Sequence, residues 1–183
     1  MVKIGLEIHG YLLTNEKLFC TCKSEHGLKN SKPNTNICPI CCGMPGAKTL
    51  LPNKTAVNKV IQIALILGCK INQKLIWQRK HYDWPDLPKA YQVTQFEKPL
   101  CTDGMVEFDF DGEKKAVRIN RIHLEEDAGK LVHIEWGNSS LVDYNRCGVP
   151  LIEIVTEPDM RSPEEAVEFL ETLKSILKYT GIS

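Results

Sequence analysis

Val2, Ile4, Leu6 and Ile8 alternate with Lys3, Gly5, Glu7 and His9, a period of two that predicts a half-buried strand with Glu7 and His9 on one face. From Asn53 the period changes. Val57, Val60, Ile61, Ala64 and Leu67 form a stripe that predicts a packing helix capped by Asn53 and ended by Gly68. Trp77 to Tyr91 is dense in aromatics, cations and prolines, which excludes a long helix or a central strand and predicts an ordered loop that serves a site. Val106, Phe108 and Phe110 alternate up to Asp111-Gly112, which predicts a hairpin turn. The return strand runs Ala116 to Leu124, and its apolar parity shifts between Ile119 and Ile122, so a bulge is expected near Asn120. Val149 to Val155 is apolar on both faces apart from Glu153, a carboxylate that must be paired or bound to a metal. Ser162-Pro163-Glu164-Glu165 forms a capping box with proline at the first helical position, opening a helix with Ala166, Leu170, Leu173 and Leu177 on one side and Gly181 at its end. Strands mixed with two helices predict an α+β domain rather than repeated βαβ units.

Composition narrows the class of protein. At 183 residues, 43% hydrophobic and 25% charged, the chain reads as one soluble domain, able to bury roughly 70% of its unfolded surface without a disulfide framework. Lys plus Arg number 23 and Asp plus Glu number 23, so no net basic field captures a polyanion, and any nucleic-acid contact must be local or supplied by partners. The most apolar window, Val60 to Gly68, is about half the length needed to span a bilayer. Met1-Val2-Lys3 runs straight into a structured pattern, so neither a membrane span nor a signal peptide is expected, and the location expected is cytoplasmic.

Eight cysteines without a secretory signal point to metal ligands or buried small residues rather than disulfides. Cys20 and Cys22 are separated by 15 residues from Cys38 and Cys41. The loop between them, Lys23 to Ile37, is too polar to make a core and needs a staple. Four thiolates around a tetrahedral zinc would close the site to water, so the expected role of this zinc loop, residues 20–42, is structural. Cys42 is a rival to Cys41 as the fourth ligand, while Cys69, Cys101 and Cys147 read as buried small residues.

Three acidic placements stand apart from surface charge: Glu7 with His9, the run Glu125-Glu126-Asp127, and Glu153. Each alone reads as a solvated salt-bridge group, except Glu153, which the apolar strand isolates. Together they suit magnesium, which takes carboxylate oxygens while bridging substrate phosphates. The sequence has no Walker-type loop, kinase-type glycine loop or nucleophile elbow. A nucleotide would therefore be held by metal and by cations such as Arg79, Lys80, Lys89, Arg121, Lys130 and Arg146. His81, His123 and His133 read as hydrogen-bonded structural residues.

The blocks Ile4 to His9, the two cysteine pairs with Pro33 to Asn36, Asp86 to Gln92, Arg121 to Lys130 and Val142 to Pro158 closely resemble the GatB/GatE family, whose B subunits belong to tRNA-dependent Asp/Glu amidotransferases. The resemblance runs the whole chain and is closest to GatB, although the paralogous E subunit, GatE, shares most of the blocks. It implies a catalytic domain of the glutamine synthetase/guanido kinase type, an antiparallel sheet with flanking helices. It also implies a two-step reaction: ATP phosphorylates the side-chain carboxylate of Glu or Asp misacylated on tRNA, and ammonia then displaces the phosphate to give Gln-tRNA or Asn-tRNA. By the same resemblance His9, Glu126 and Glu153 are expected as magnesium ligands, with Glu7, Glu125 and Asp127 beside them. Lys80 and Lys89 are expected to line the ammonia route or grip phosphate. Family members continue beyond this N-terminal part of the catalytic domain into helical and tail domains that grip tRNA. This chain is therefore expected to be inactive without that C-terminal remainder, the ammonia-supplying amidase-type A subunit (GatA) and the small C subunit (GatC). The competing expectation is a zinc-stabilised docking module of the same complex with no chemistry of its own.

Overall fold

A computed structural model describes residues 2–24, 31–134 and 138–182; residues 25–30 of the expected zinc loop lie outside the described part. Its strands are β1 (Glu7–Tyr11), β2 (Lys70–Ile71), β3 (Gln78–His81), β4 (Tyr91–Thr94), β5 (Cys101–Phe110), β6 (Glu113–Glu126), β7 (Lys130–His133), β8 (Ser140–Asp143) and β9 (Pro150–Thr156). Its helices are α1 (Lys54–Ile66) and α2 (Pro163–Tyr179). The architecture is α+β. A five-stranded sheet in the order β1-β9-β6-β5-β2 is accompanied by two ribbons, β3-β4 and β7-β8, and every pairing is antiparallel.

One face of the sheet is the core. Ala56, Val60, Ile63 and Ala64 of α1 and Ala166, Phe169, Leu173 and Leu177 of α2 pack on Val106, Phe108, Val117, Ile122, Leu124, Ile152 and Ile154. Phe108 and Phe169 meet edge to face at 5.9 Å, a geometry favoured by the aromatic quadrupole. Asn53 caps α1 by accepting from the Thr55 and Ala56 N–H groups, and Ser162 caps α2 by accepting from the Glu165 N–H.

Several elements differ in detail from expectation. On α2 the buried stripe takes Phe169 and leaves Leu170 exposed, because the larger ring fits the space above Phe108. On α1 Ala56 and Ile63 are fully buried while Val57 and Ile61 sit at the margin. The first strand pairs only from Glu7 onward; Ile4 makes an isolated bridge to Met160. The register shift near Asn120 falls between Ile119 and Arg121, which lets Ile119 and Ile122 both turn inward, at 1% and 0% exposure. The hairpin turn is made by Asp111 and Gly112, both at positive φ (52° and 76°), as a two-residue turn of matching twist requires. The ends of the aromatic stretch become the β3-β4 ribbon, and the loop between them, residues 82–90, is tied to β6 by the ion pair of Lys89 with Glu126. Among the described residues no helix is long and apolar enough to cross a membrane.

Candidate active site and metal centre

The second face of the sheet carries the chemistry, and register explains why. His9 lies opposite Glu153 on β9, and Glu153 lies opposite His123 on β6, so the three side chains form a row across β1, β9 and β6. A second row is Tyr11, Leu151 and Glu125, and a third is Glu7, Val155 and Arg121. Residues directly opposite one another in antiparallel strands share a face. The rows therefore place His9 and the carboxylates Glu7, Glu125 and Glu153 on the floor of a cavity of about 660 Å³, walled by Lys80, Tyr82, Trp84, Leu87 and Gln92.

Each floor group is held from a different direction. Glu125 accepts from the Thr94 hydroxyl (2.6 Å) and the Gln92 amide (3.0 Å). His123 is buried and receives the Arg121 Nε–H on its Nε2 at 3.0 Å, which leaves Nδ1 facing Glu153 at 3.4 Å. The neighbouring His123, outweighing burial and joined by Glu125 and the nearby His9, pulls the Glu153 carboxyl down to about 2. Burial pushes Asp127 above the usual carboxylate range even though Arg146 (3.0 Å) and the Tyr11 hydroxyl (3.0 Å) both hold it.

One atom each from His9, Glu125 and Glu153 lie within 4.8 Å of one another. This set differs from the grouping expected from the sequence, which put Glu126 with His9 and Glu153. Alternation sends Glu126 to the opposite side of β6 from Glu125. There it is buried, hydrogen-bonded to Lys89 and to the Val93 N–H (3.3 Å). Burial raises the Glu126 pKa, against the pull of the Lys89 ammonium. Counting parity outward from the core residues Ile122 and Leu124 is the sequence signal that separates the two glutamates.

The expected cations also disperse. Lys80 lines the cavity. Arg79 stacks on Tyr91 at 4.8 Å and faces a smaller apolar cavity; Arg121 is held by His123; Arg146 binds Asp127 and the Ala128 and Gly129 carbonyls; and Lys130 lies exposed on β7. None of these four lines the carboxylate cavity. Glu7 and Asp127 do line it. Side chains not singled out beforehand as site residues are His123, Tyr11, Gln92 and Thr94, whose roles depend on register that no local pattern announces.

A second cluster lies behind Glu126. The Sγ atoms of Cys20, Cys22, Cys38 and Cys41 all fall within 4.8 Å of one another, without Cys42. Cys38 and Cys41 are 3.8 Å apart, matching the ~3.8 Å edge of a tetrahedron with metal–sulfur bonds of about 2.3 Å. The four cysteines could thus hold a metal ion. Lys17, 1% exposed, donates to the Asn36 carbonyl (2.9 Å) and to Cys41 Sγ (3.7 Å). A hydrogen bond from Cys20, opposed by burial and assisted by Lys17, pulls the Cys41 thiol down to about 4. Cys69, Cys101 and Cys147 are buried.

Residues 2–183 match the family described as "GatB/GatE catalytic domain". The B subunit of the aspartyl/glutamyl-tRNA(Asn/Gln) amidotransferase of Caldicellulosiruptor saccharolyticus is 55% identical over all of this chain and 37% of its own length. The corresponding proteins of Clostridium beijerinckii and Brevibacillus brevis are 55% and 51% identical over 98% of this chain, again 37% of their own. The chain thus spans little more than a third of the relatives it matches.

Lys89 and Glu126 generate a test of the buried pair. Lys89→Met leaves a carboxylate without its partner and is expected to lower unfolding free energy by about 3–5 kcal/mol, while Lys89→Met with Glu126→Gln recovers most of the loss in urea melts. A single variant as stable as wild type would contradict the pairing.

Proposed function

The chain belongs to the GatB/GatE catalytic-domain family, and on that premise we propose that its carboxylate cavity activates the side-chain carboxylate of an amino acid misacylated on tRNA. The observation that carries this reading is the convergence of His9, Glu125 and Glu153 on the floor of an open cavity with Lys80 in its wall. A carboxylate resists amination until one oxygen becomes a leaving group. In the proposed sequence the Glu or Asp side-chain oxygen attacks the γ-phosphorus of ATP and ADP departs; ammonia then attacks the acyl carbon, phosphate leaves, and the nitrogen gives up a proton to form the neutral amide. Transfer between anions is opposed by charge, and positioned cations and fixed donors are the remedy.

His9, Glu125 and Glu153 suit magnesium, a hard cation that neutralises phosphate charge and keeps positions for water and substrate oxygens. Gln92 and Thr94 hold the Glu125 carboxylate still, and His123, itself fixed by Arg121, does the same for Glu153. Lys80 meets the transferred phosphoryl oxygens. Glu7 and Asp127 flank the reacting carboxylate, and Lys89 with Glu126 lies along the route by which ammonia arrives. The antiparallel sheet with both helices on one face is in keeping with a glutamine synthetase/guanido kinase-like fold, and glutamine synthetase itself also works through a phosphorylated side-chain carboxylate.

The chain is the N-terminal part of the catalytic domain. The rest of the relatives' length supplies the remaining domain and the tRNA grip, an amidase-type A subunit releases ammonia from glutamine, and a small C subunit clasps the pair, all in the cytoplasm. The neutral charge balance accords with delegated tRNA binding. Full-length protein in its complex, given misacylated Glu-tRNA, ATP, magnesium and ammonium chloride, is expected to form Gln-tRNA, and Glu153→Gln is expected to reduce the rate at least about 100-fold. Equal product from wild type and Glu153→Gln would leave the chain as a docking module.

Zinc is the metal proposed for Cys20, Cys22, Cys38 and Cys41, in a closed structural role. Cys38→Ser is expected to lower zinc content below one ion per chain and to depress the melting temperature; unchanged zinc and unchanged melting would refute it.

A further inference from the structure

Resting on the activating role proposed above, we infer that Trp84 is the platform on which a substrate's purine ring stacks at the mouth of the carboxylate cavity. Trp84 is 63% exposed and lines the same cavity as Lys80 and the carboxylates. By contrast, Trp77 is packed edge-on against Phe19 at 5.3 Å. A large indole left in water forgoes the burial that normally keeps such side chains inside.

The loop that presents it is anchored. Leu87 N–H donates to the Trp84 carbonyl (3.1 Å) and Ala90 N–H to the Leu87 carbonyl (2.9 Å), two successive turns carrying Pro85 and Pro88. Pro85 also narrows the backbone freedom of Trp84. Across the cavity rim Gly129 N–H donates to the Asp86 carbonyl (2.8 Å) and the Tyr144 hydroxyl to the Pro85 carbonyl (2.9 Å). Gly129 permits this approach because a Cβ there would sit 3.1 Å from the Asp86 oxygen. The backbone that carries the exposed ring is therefore fixed in place, so stacking a ligand on the ring orders only the side chain and not the loop.

Charge decides which kind of ligand fits. The floor is anionic through Glu7, Glu125, Asp127 and Glu153, while Lys80, poised 5.2 Å above the Tyr82 ring, is the cation of the wall. An anionic group must enter beside Lys80, and the uncharged flat part of the same molecule is left at the rim, against Trp84 and Tyr82. A nucleotide has this division between phosphate and base. The reaction offers two purines, the adenine of ATP and the 3′-terminal adenosine of the aminoacyl-tRNA, and base stacking on an aromatic face suits either.

The test uses the assembled full-length complex with ammonium as nitrogen donor, measuring KM separately for ATP and for misacylated Glu-tRNA in Trp84→Ala and Trp84→Phe. Trp84→Ala is expected to raise one KM about tenfold with little change in kcat, and Trp84→Phe to restore most of it, since stacking on any aromatic ring suffices. A rise confined to the tRNA assigns the ring to the terminal adenosine; a rise confined to ATP assigns it to the nucleotide; both support the platform. Neither KM moving, Phe performing no better than Ala, or a Trp84→Ala complex that dissociates on gel filtration overturns it. A wild-type complex that forms no Gln-tRNA overturns the functional reading and this inference with it.

Discussion

A carboxylate placed in the middle of an otherwise apolar strand is the constraint around which the sheet is arranged. Glu153 sits on β9 with β1 on one side and β6 on the other, so it is shielded by neighbouring strands as well as by its own. Burial of an ionised carboxylate is costly unless charge and hydrogen bonds compensate. The compensation comes from His123, and His9 lies across the row on the other side. The opposite face of the same strand presents Ile152 and Ile154 to the helices. A one-residue slip of β9 would put the carboxylate into the core and the isoleucines into the cavity, so the packing of α1 and α2 and the geometry of the floor specify one and the same register.

The consecutive pair Glu125 and Glu126 extends this logic. Period-two alternation assigns one to the cavity and the other to the rear, where Lys89 neutralises it. Behind Glu126 lies the four-cysteine cluster, joined to the loop of Lys89 by close contacts. A Cβ on Gly43, at φ 64°, would meet the Lys89 Cγ at 2.7 Å, and one on Gly148 would touch both Cys41 and Lys17. The cysteine loop and the loop of Lys89 are therefore packed with no room to spare at Gly43.

Much of the architecture was legible because it obeys short-range rules. The capping residues Asn53 and Ser162, the Asp111-Gly112 turn and the bulge near Asn120 each act within a few residues, and each leaves a local mark. The cysteine spacing named its own cluster, though choosing Cys41 over Cys42 required coordinates. What depends on strand register is less visible: in the sequence alone nothing distinguishes His123 from an ordinary structural histidine, and only the pairing of β6 with β9 sets it beside Glu153. Family resemblance groups Glu126 with the metal ligands, whereas alternation from Ile122 and Leu124 points it to the rear, where Lys89 meets it. The dispersal of Arg79, Arg121 and Arg146 onto Tyr91, His123 and Asp127 is a matter of tertiary proximity, which charge alone does not reveal. Phe169 displaced Leu170 from the helix stripe because of its fit against Phe108, again a property of two distant elements.

Which carboxylates face the cavity is addressed directly by Mn2+ titration of the full-length protein followed by electron paramagnetic resonance, with Mn2+ standing in for magnesium as a hard cation. The expected result is a bound-ion signal that disappears in Glu125→Gln and Glu153→Gln but persists in Glu126→Gln combined with Lys89→Met. Loss of binding in the Glu126 variant, with retention in Glu125→Gln, would contradict the assignment of the floor to His9, Glu125 and Glu153.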